Sequence, residues 1–194
     1  MTMKKKPLCI TATMLISILI CTGLLTSCSK TEGFSPVFLV DANGAYSGFS
    51  NVTQPLDIEK AASLGYVAID GQRIAENSDI WENFVSDSAR GNDSSVRLVY
   101  FYTNKSVYIV DIFYNNGQYF LFDSSAEKQN TDGFAHLLRL EGSFGMPARD
   151  TVVLVLADDE SITFDQYMTA MFSSSTEVIQ SIQPSRLIML LTGN

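Results

Sequence analysis

The chain has 194 residues, 46% of them hydrophobic and 18% charged, with 13 basic side chains against 21 acidic ones and a formal net charge of −8. That length and balance suit one domain with a sizeable core rather than a disordered or fibrous chain. The acidic excess and the lack of any basic stripe argue against nucleic acid as a partner, and against a chain that lies flat on anionic lipid.

The first residues, Met1-Thr2-Met3-Lys4-Lys5-Lys6, form a basic head, and no charge follows from Leu8 to Leu25. A basic head, an apolar middle and small residues at the end are the three parts of a secretory signal peptide. A transmembrane helix is the rival reading, since eighteen residues at about 1.5 Å each span roughly 27 Å, close to the lipid core. The ending is more telling than the length. Leu25-Thr26-Ser27-Cys28 resembles the lipobox of bacterial lipoproteins, an aliphatic residue and two small ones before an obligatory cysteine. The resemblance implies cleavage after residue 27 and a diacylglyceryl group on the Cys28 thiol. Together with acyl chains of the palmitate type, this would hold the protein on the extracytoplasmic face of a cell membrane. Two chains at about 0.8 kcal/mol per buried methylene anchor stably where one is marginal. An uncleaved anchor with an incidental cysteine is the alternative.

Loss of residues 1–27 removes three lysines and no acid, leaving 167 residues and a charge of about −11. Cys9 and Cys21 leave with the signal. The remaining domain then has no cysteine pair for a disulfide and no thiolate set for zinc, so its stability rests on its core.

Residues 28–56 are rich in Ser, Gly, Asn and Thr and read as the lipidated cysteine and a tether, with Pro36 to Val40 as a possible first strand. Residues 57–194 read as the globular domain. Asp57 caps a short helix over "LDIEKAASLG", with Ile58, Ala61 and Ala62 on one face, and "YVAID" (66–70) follows as a strand. "NSDIWENFVSDSARG" is a second helix capped by Asn77 or Ser78, with Ile80, Trp81, Phe84 and Val85 inward. Three strands come next, at 95–102, 107–114 and 118–123, the last two joined by Asn115-Asn116-Gly117, a pattern suited to a tight hairpin. "FAHLLRLEG" (134–142) reads as a strand, and the continuous run "TVVLVLAD" (151–158) reads as the middle strand of a sheet. Thr163 caps a helix over "TFDQYMTAMFSSS". A short turn at "TEVIQSI" ends before Pro184, and "RLIMLL" (186–191) reads as a last, doubly buried strand.

The order "VRLVYFY…YIVDIFYNNGQYF", then "LLRLEG…VVLVLADDESITFDQYMTAMFSSS", resembles a family of uncharacterised lipoproteins from Gram-positive bacteria, a domain of unknown function. The likeness spans residues 57–191 and rests on pattern rather than on a catalytic motif. It implies export and an α+β fold, and carries no activity with it.

Candidate chemistry is sparse. His136 is the one histidine, which excludes any site needing two imidazoles. A Ser-His-Asp triad needs only one, but "EGSFG" (141–145) has Glu141 where a nucleophile elbow wants glycine and runs into Pro147. A sheet-face histidine sharing its side with Phe134, Leu138 and Leu140 is the plainer reading. Asp158, Asp159 and Glu160 crowd one turn without the ligand spacing of a calcium loop. Asp111 interrupts an apolar strand face and invites an arginine partner such as Arg97. The densest signal is aromatic, nine rings between Tyr100 and Phe122. It offers either ordinary cross-strand packing or a binding platform.

These readings converge on a single α+β domain, mainly antiparallel sheet with helices packed chiefly on one face. The expected function is that of a non-catalytic binding or interaction lipoprotein of the cell envelope. Candidate contacts are Tyr100, Tyr102, Tyr108, Tyr114 and Tyr119, with a protein, peptide or glycan as partner, and neither a metal nor a cofactor is expected. A small envelope hydrolase using His136 or a carboxylate pair is the alternative.

Overall fold

The computed structural model describes residues 34–41, 43–52, 54–103 and 106–193. The signal segment and Cys28 lie outside the described residues. Among those described, no helix is long and apolar enough to cross a membrane.

Helix α1 spans Ile58–Ser63, and Asp57 caps it as expected, its Oδ1 accepting the Lys60 N–H at 2.7 Å. Strand β1 (Val67–Asp70) turns back into β2 (Arg73–Glu76), a short pairing absent from the sequence reading. Helix α2 spans Ser78–Ala89 and buries Trp81, Phe84 and Ser88. Asn77 precedes it at a left-handed φ of 60° and makes no side-chain cap. Its amide instead donates to the carbonyls of Ala62 and Tyr66 at 3.0 and 2.8 Å, pinning the start of α2 to the end of α1.

Strands β3 (Ser94–Phe101), β4 (Val107–Asn115) and β5 (Gln118–Asp123) run antiparallel in register, with Arg97 opposite Asp111 and Asp111 opposite Phe122. Asn116 and Gly117 both take positive φ (50° and 83°) in the β4–β5 turn, the conformation a two-residue hairpin with the native twist requires. With β1 parallel to β3, these strands form a five-stranded sheet in the order β2-β1-β3-β4-β5. A second, three-stranded antiparallel sheet contains β6 (His136–Phe144), β7 (Arg149–Ala157) and β8 (Ser185–Thr192), with β7 in the middle. Helix α3 (Phe164–Met171) starts with a full capping box between Thr163 and Gln166, and α4 (Thr176–Gln180) follows.

The fold is therefore α+β and mainly antiparallel, with its strands divided between two sheets. One core joins them. Val67, Leu98, Ile112 and Leu121 of the first sheet pack with Leu154, Leu156 and Met189 of the second, and Trp81 and Phe84 of α2 complete it. The outer face of the second sheet carries Val153 and Val155 against Phe164, Tyr167 and Met168 of α3. The outer face of the first carries Val99 and Ile109 against Ala61 and Tyr66 at α1. Helices thus serve each sheet in turn: α3 with α4 share one face of the smaller sheet, while α1 and α2 take opposite faces of the larger.

Pro36–Val40 forms no strand. The segment crosses the first sheet with one isolated bridge, Val40 to Tyr46. Strand β8 is an edge strand, so Arg186 and Leu187 are exposed while Ile188 and Met189 are buried. An apolar run alone does not separate an edge from a middle strand, because a neighbouring layer can bury one face of either.

Candidate functional site

The two faces of the aromatic sheet have different fates. Alternation along β4 and β5 sends Phe113, Phe120 and Phe122 to the outer face, where residues 34–41 and 43–52 form a strap that covers them. Phe38 lies over all three, with ring centroids 5.2, 5.0 and 5.8 Å away, and Tyr46 stacks on Phe122 at 4.3 Å and 11°. Beneath this strap, Arg97 meets Asp111 through two parallel hydrogen bonds of 2.6 Å and also donates to the Gly48 carbonyl at 2.7 Å. Both partners are fully buried. Phe34, Tyr66 and Phe49 surround the guanidinium at 4.7, 5.2 and 5.7 Å. Burial opposes the charge on Arg97, yet the hydrogen bonds and charge of Asp111 outweigh it, and the arginine pKa is raised. The partnership expected from the sequence is present: the pair bridges β3 and β4, and the Gly48 carbonyl and the Tyr46 hydroxyl tie the strap down onto it.

The opposite face holds the tyrosines. Tyr100 is buried and donates its hydroxyl to the Ile188 carbonyl of β8 at 2.6 Å. Tyr119 is also buried, and Tyr108 and Tyr114 are half-buried against the shared core. Burial pushes the phenols of Tyr100, Tyr108 and Tyr119 above their ordinary value; the Asp123 carboxylate adds to the shift of Tyr108 while Arg186 opposes it, and a hydrogen bond with Ser88 opposes that of Tyr119. These four rings therefore pack between the layers rather than forming an open platform. Tyr102 alone of the five is substantially exposed, at 49%.

Tyr102 stands just beyond β3, where its N–H donates to the Ser106 carbonyl at 3.2 Å. It borders an open groove of about 620 Å³ whose floor is Leu56, Ile58, Phe101 and Val107. Asp57 and Glu59, from the first turn of α1, stand at the same groove. The arrangement is an apolar trough with a negative rim and a half-exposed phenol at its end.

The catalytic alternatives find their residues apart. His136 opens β6 on the α3 side, in the alternation of Leu138 and Leu140, whereas Phe134 turns the other way and pairs with Tyr119 in the shared core. Asp159 sits near His136, but its Oδ1 accepts the Ser161 hydroxyl at 2.7 Å and the Ser161 N–H at 2.8 Å. Those bonds, hydroxyl first, hold its carboxyl below the ordinary value, with a smaller pull from His136. Asp158 caps Ala135 in the adjoining turn. The two buried carboxylates, Asp111 and Asp123, project from opposite faces of the first sheet and do not converge. Among the described residues no group of three or more His, Cys, Asp or Glu could hold a metal ion.

Where the sequence reads as a tether, the chain instead packs as this strap. Its signal in the sequence was Phe34, Phe38, Tyr46 and Phe49 set in an otherwise Ser-, Gly- and Asn-rich stretch, since a solvated linker has no use for four aromatic rings. No family model, no curated protein and no solved structure matches the chain.

Proposed function

We propose that this chain is an exported lipoprotein, held through lipid on Cys28 at the extracytoplasmic face of a cell membrane, that acts as a non-catalytic binding module of the cell envelope. The observation that carries the binding half is the groove beside Tyr102. A half-buried apolar floor has a standing incentive to be covered further, worth about 25 cal/mol per Å² of apolar surface removed from water. Asp57 and Glu59 select for a basic flank, and the whole chain is negative. The occupant on this reading is an apolar segment of an envelope protein bordered by Lys or Arg. The anchoring half rests on the basic head, the uncharged run from Leu8 to Leu25 and the Leu25-Thr26-Ser27-Cys28 ending.

Two experiments test the halves separately. In cells fed a tagged fatty acid, the wild-type chain takes up label and Cys28→Ala does not; label on both overturns the anchor. A photo-reactive residue at position 102 captures one defined envelope protein, while the same residue at the exposed Glu82 of α2 does not. Charge reversal by Glu59→Lys weakens that capture. Equal capture at the two positions, or none at 102, overturns the binding role.

A further inference from the structure

A second concavity lies where the end of β5, the loop after it and the start of β8 meet. It is a cleft of about 230 Å³ with Leu121 and Phe134 as its apolar walls and Asp123, Lys128, Gln129 and Arg186 among its polar ones. Asp123 is buried, and its donors are all accounted for. Oδ1 accepts the Ser125 N–H and hydroxyl, each at 3.0 Å, and Oδ2 accepts Arg186 Nη2 at 2.6 Å. The Gln129 side chain clasps the Asp123 backbone, accepting its N–H at 3.0 Å and donating to its carbonyl at 2.7 Å. The carboxylate is thereby satisfied, and its remaining effect is to aim a guanidinium.

Arg186 is not used up by that contact, although its guanidinium also faces the Tyr108 phenol as a hydrogen-bond partner. Its side chain is 50% exposed against 7% for Asp123, and a guanidinium carries five N–H donors in a fixed fork. Lys128 stands at the same cleft and makes no ion pair among the described residues. Arg186 and Lys128 against Asp123 leave one net positive charge here, on a chain whose total is −8. We infer that this cleft binds a small monoanion, a carboxylate on a short apolar body. The Arg186 fork takes the carboxylate, Lys128 adds charge at the mouth, and Leu121 with Phe134 receives the body. The geometry favours a carboxylate over a phosphate dianion because Asp123, directly behind the guanidinium, repels a second negative charge. The site shares no lining residue with the Tyr102 groove and stands or falls without it.

Two sources present such a group: a free small acid and the C-terminus of a peptide. Calorimetric titration of the full chain in mild detergent, with N-acetyl-alanine, its amide, acetyl-Gly-Ala-Ala and inorganic phosphate as probes, separates them. The expected result is binding of both carboxylates and neither the amide nor phosphate. Tighter binding of the tripeptide identifies a peptide terminus, and equal binding a free acid. Arg186→Lys keeps the charge in front of Asp123 but loses the planar fork, and should weaken binding about tenfold; Arg186→Gln should abolish it. A melting curve for each variant checks that the fold survives. Binding of the amide as tight as that of the acid, a preference for phosphate, no carboxylate binding to wild type, or unchanged affinity in a folded Arg186→Lys each overturns the assignment.

Discussion

The Tyr46 hydroxyl donates to Asp111 Oδ2 at 2.5 Å across 65 residues of sequence, fastening the N-terminal strap to a carboxylate that already holds Arg97. A hydrogen bond to a charged, buried acceptor contributes about 1.5–3 kcal/mol, more than an exposed pair such as Arg139–Glu141, for which the usual figure is about 0–1 kcal/mol. Tyr46→Phe keeps the ring stack on Phe122 and removes only that bond. It should lower stability by about 2 kcal/mol in urea unfolding. A loss below a few tenths would mean that the strap is not fastened there.

Removing one member of the buried pair should cost more than removing all of it. Asp111→Leu strands the Arg97 charge and should destabilise by about 3–5 kcal/mol. Arg97→Met with Asp111→Leu and Tyr46→Phe replaces both charged groups and the phenol bonded to them by apolar volume, and should recover most of that loss. Urea midpoints of the single and triple variants decide the matter; a triple variant as weak as the single would point to packing rather than charge.

The tyrosines predict an alkaline limit. Tyr46, Tyr100, Tyr108, Tyr119 and Tyr167, five of the eight in the chain, have phenols raised above the ordinary value of 10, with burial the first cause in each. The folded state keeps these protons where the unfolded chain gives them up. Their contribution is therefore complete below about pH 10 and is lost as pH rises beyond it. Absorbance titration with parallel circular dichroism should show these phenolates appearing together with loss of structure. Ionisation of all eight near pH 10 in an intact fold would contradict the burial.

Asn77 combines a left-handed backbone with two side-chain hydrogen bonds. Asn77→Gly loses the bonds alone, about 2 kcal/mol for the two. Asn77→Ala adds the left-handed penalty, about 1–2 kcal/mol more. Thermal melts should rank wild type above Gly and Gly above Ala; Ala equal to Gly would show that the backbone relaxes.

Gly142 on β6 lies directly beneath the Phe164 ring, where an added Cβ would fall 2.2 Å from Cδ1. Gly142→Ala must push the ring off the strand, and overpacking of this kind costs about 1–3 kcal/mol. The melting temperature should fall accordingly, and Phe164→Leu in the same background should restore part of it.

Local chemistry was readable residue by residue. Asp57 and Thr163 announce their helices because a side-chain acceptor ahead of an apolar stripe has one common use. Asn116-Gly117 announces its hairpin, and Asp111 in an apolar strand announces an arginine across the ladder. What stayed hidden depends on layers. Strand β2 is four residues long and nowhere fully buried, so no alternation marks it. The tyrosine face looked available because one sequence cannot say that β6–β8 will form a separate sheet and lie over it. Tyr102 escapes only by standing past the end of β3. The cleft at Arg186 was invisible for the same reason, since its walls come from two segments distant in the chain, Asp123 and Arg186 being 63 positions apart.

The closure of the two sheets sets an order of events. Strand β8 accepts the Tyr100 hydroxyl 88 residues back, and Thr192 donates its N–H to the Gln72 carbonyl and its hydroxyl to the Gln72 side chain, 120 residues back. A chain that emerges with its N-terminus leading can form α1, α2 and the β3–β5 meander early, with α2 covering part of the inner face, but the rest of that face waits for β7 and β8. Contacts of such long sequence separation form late and slowly. The half-made molecule is thus a sheet with a partly uncovered apolar side, a target for holding factors until the second sheet closes over it.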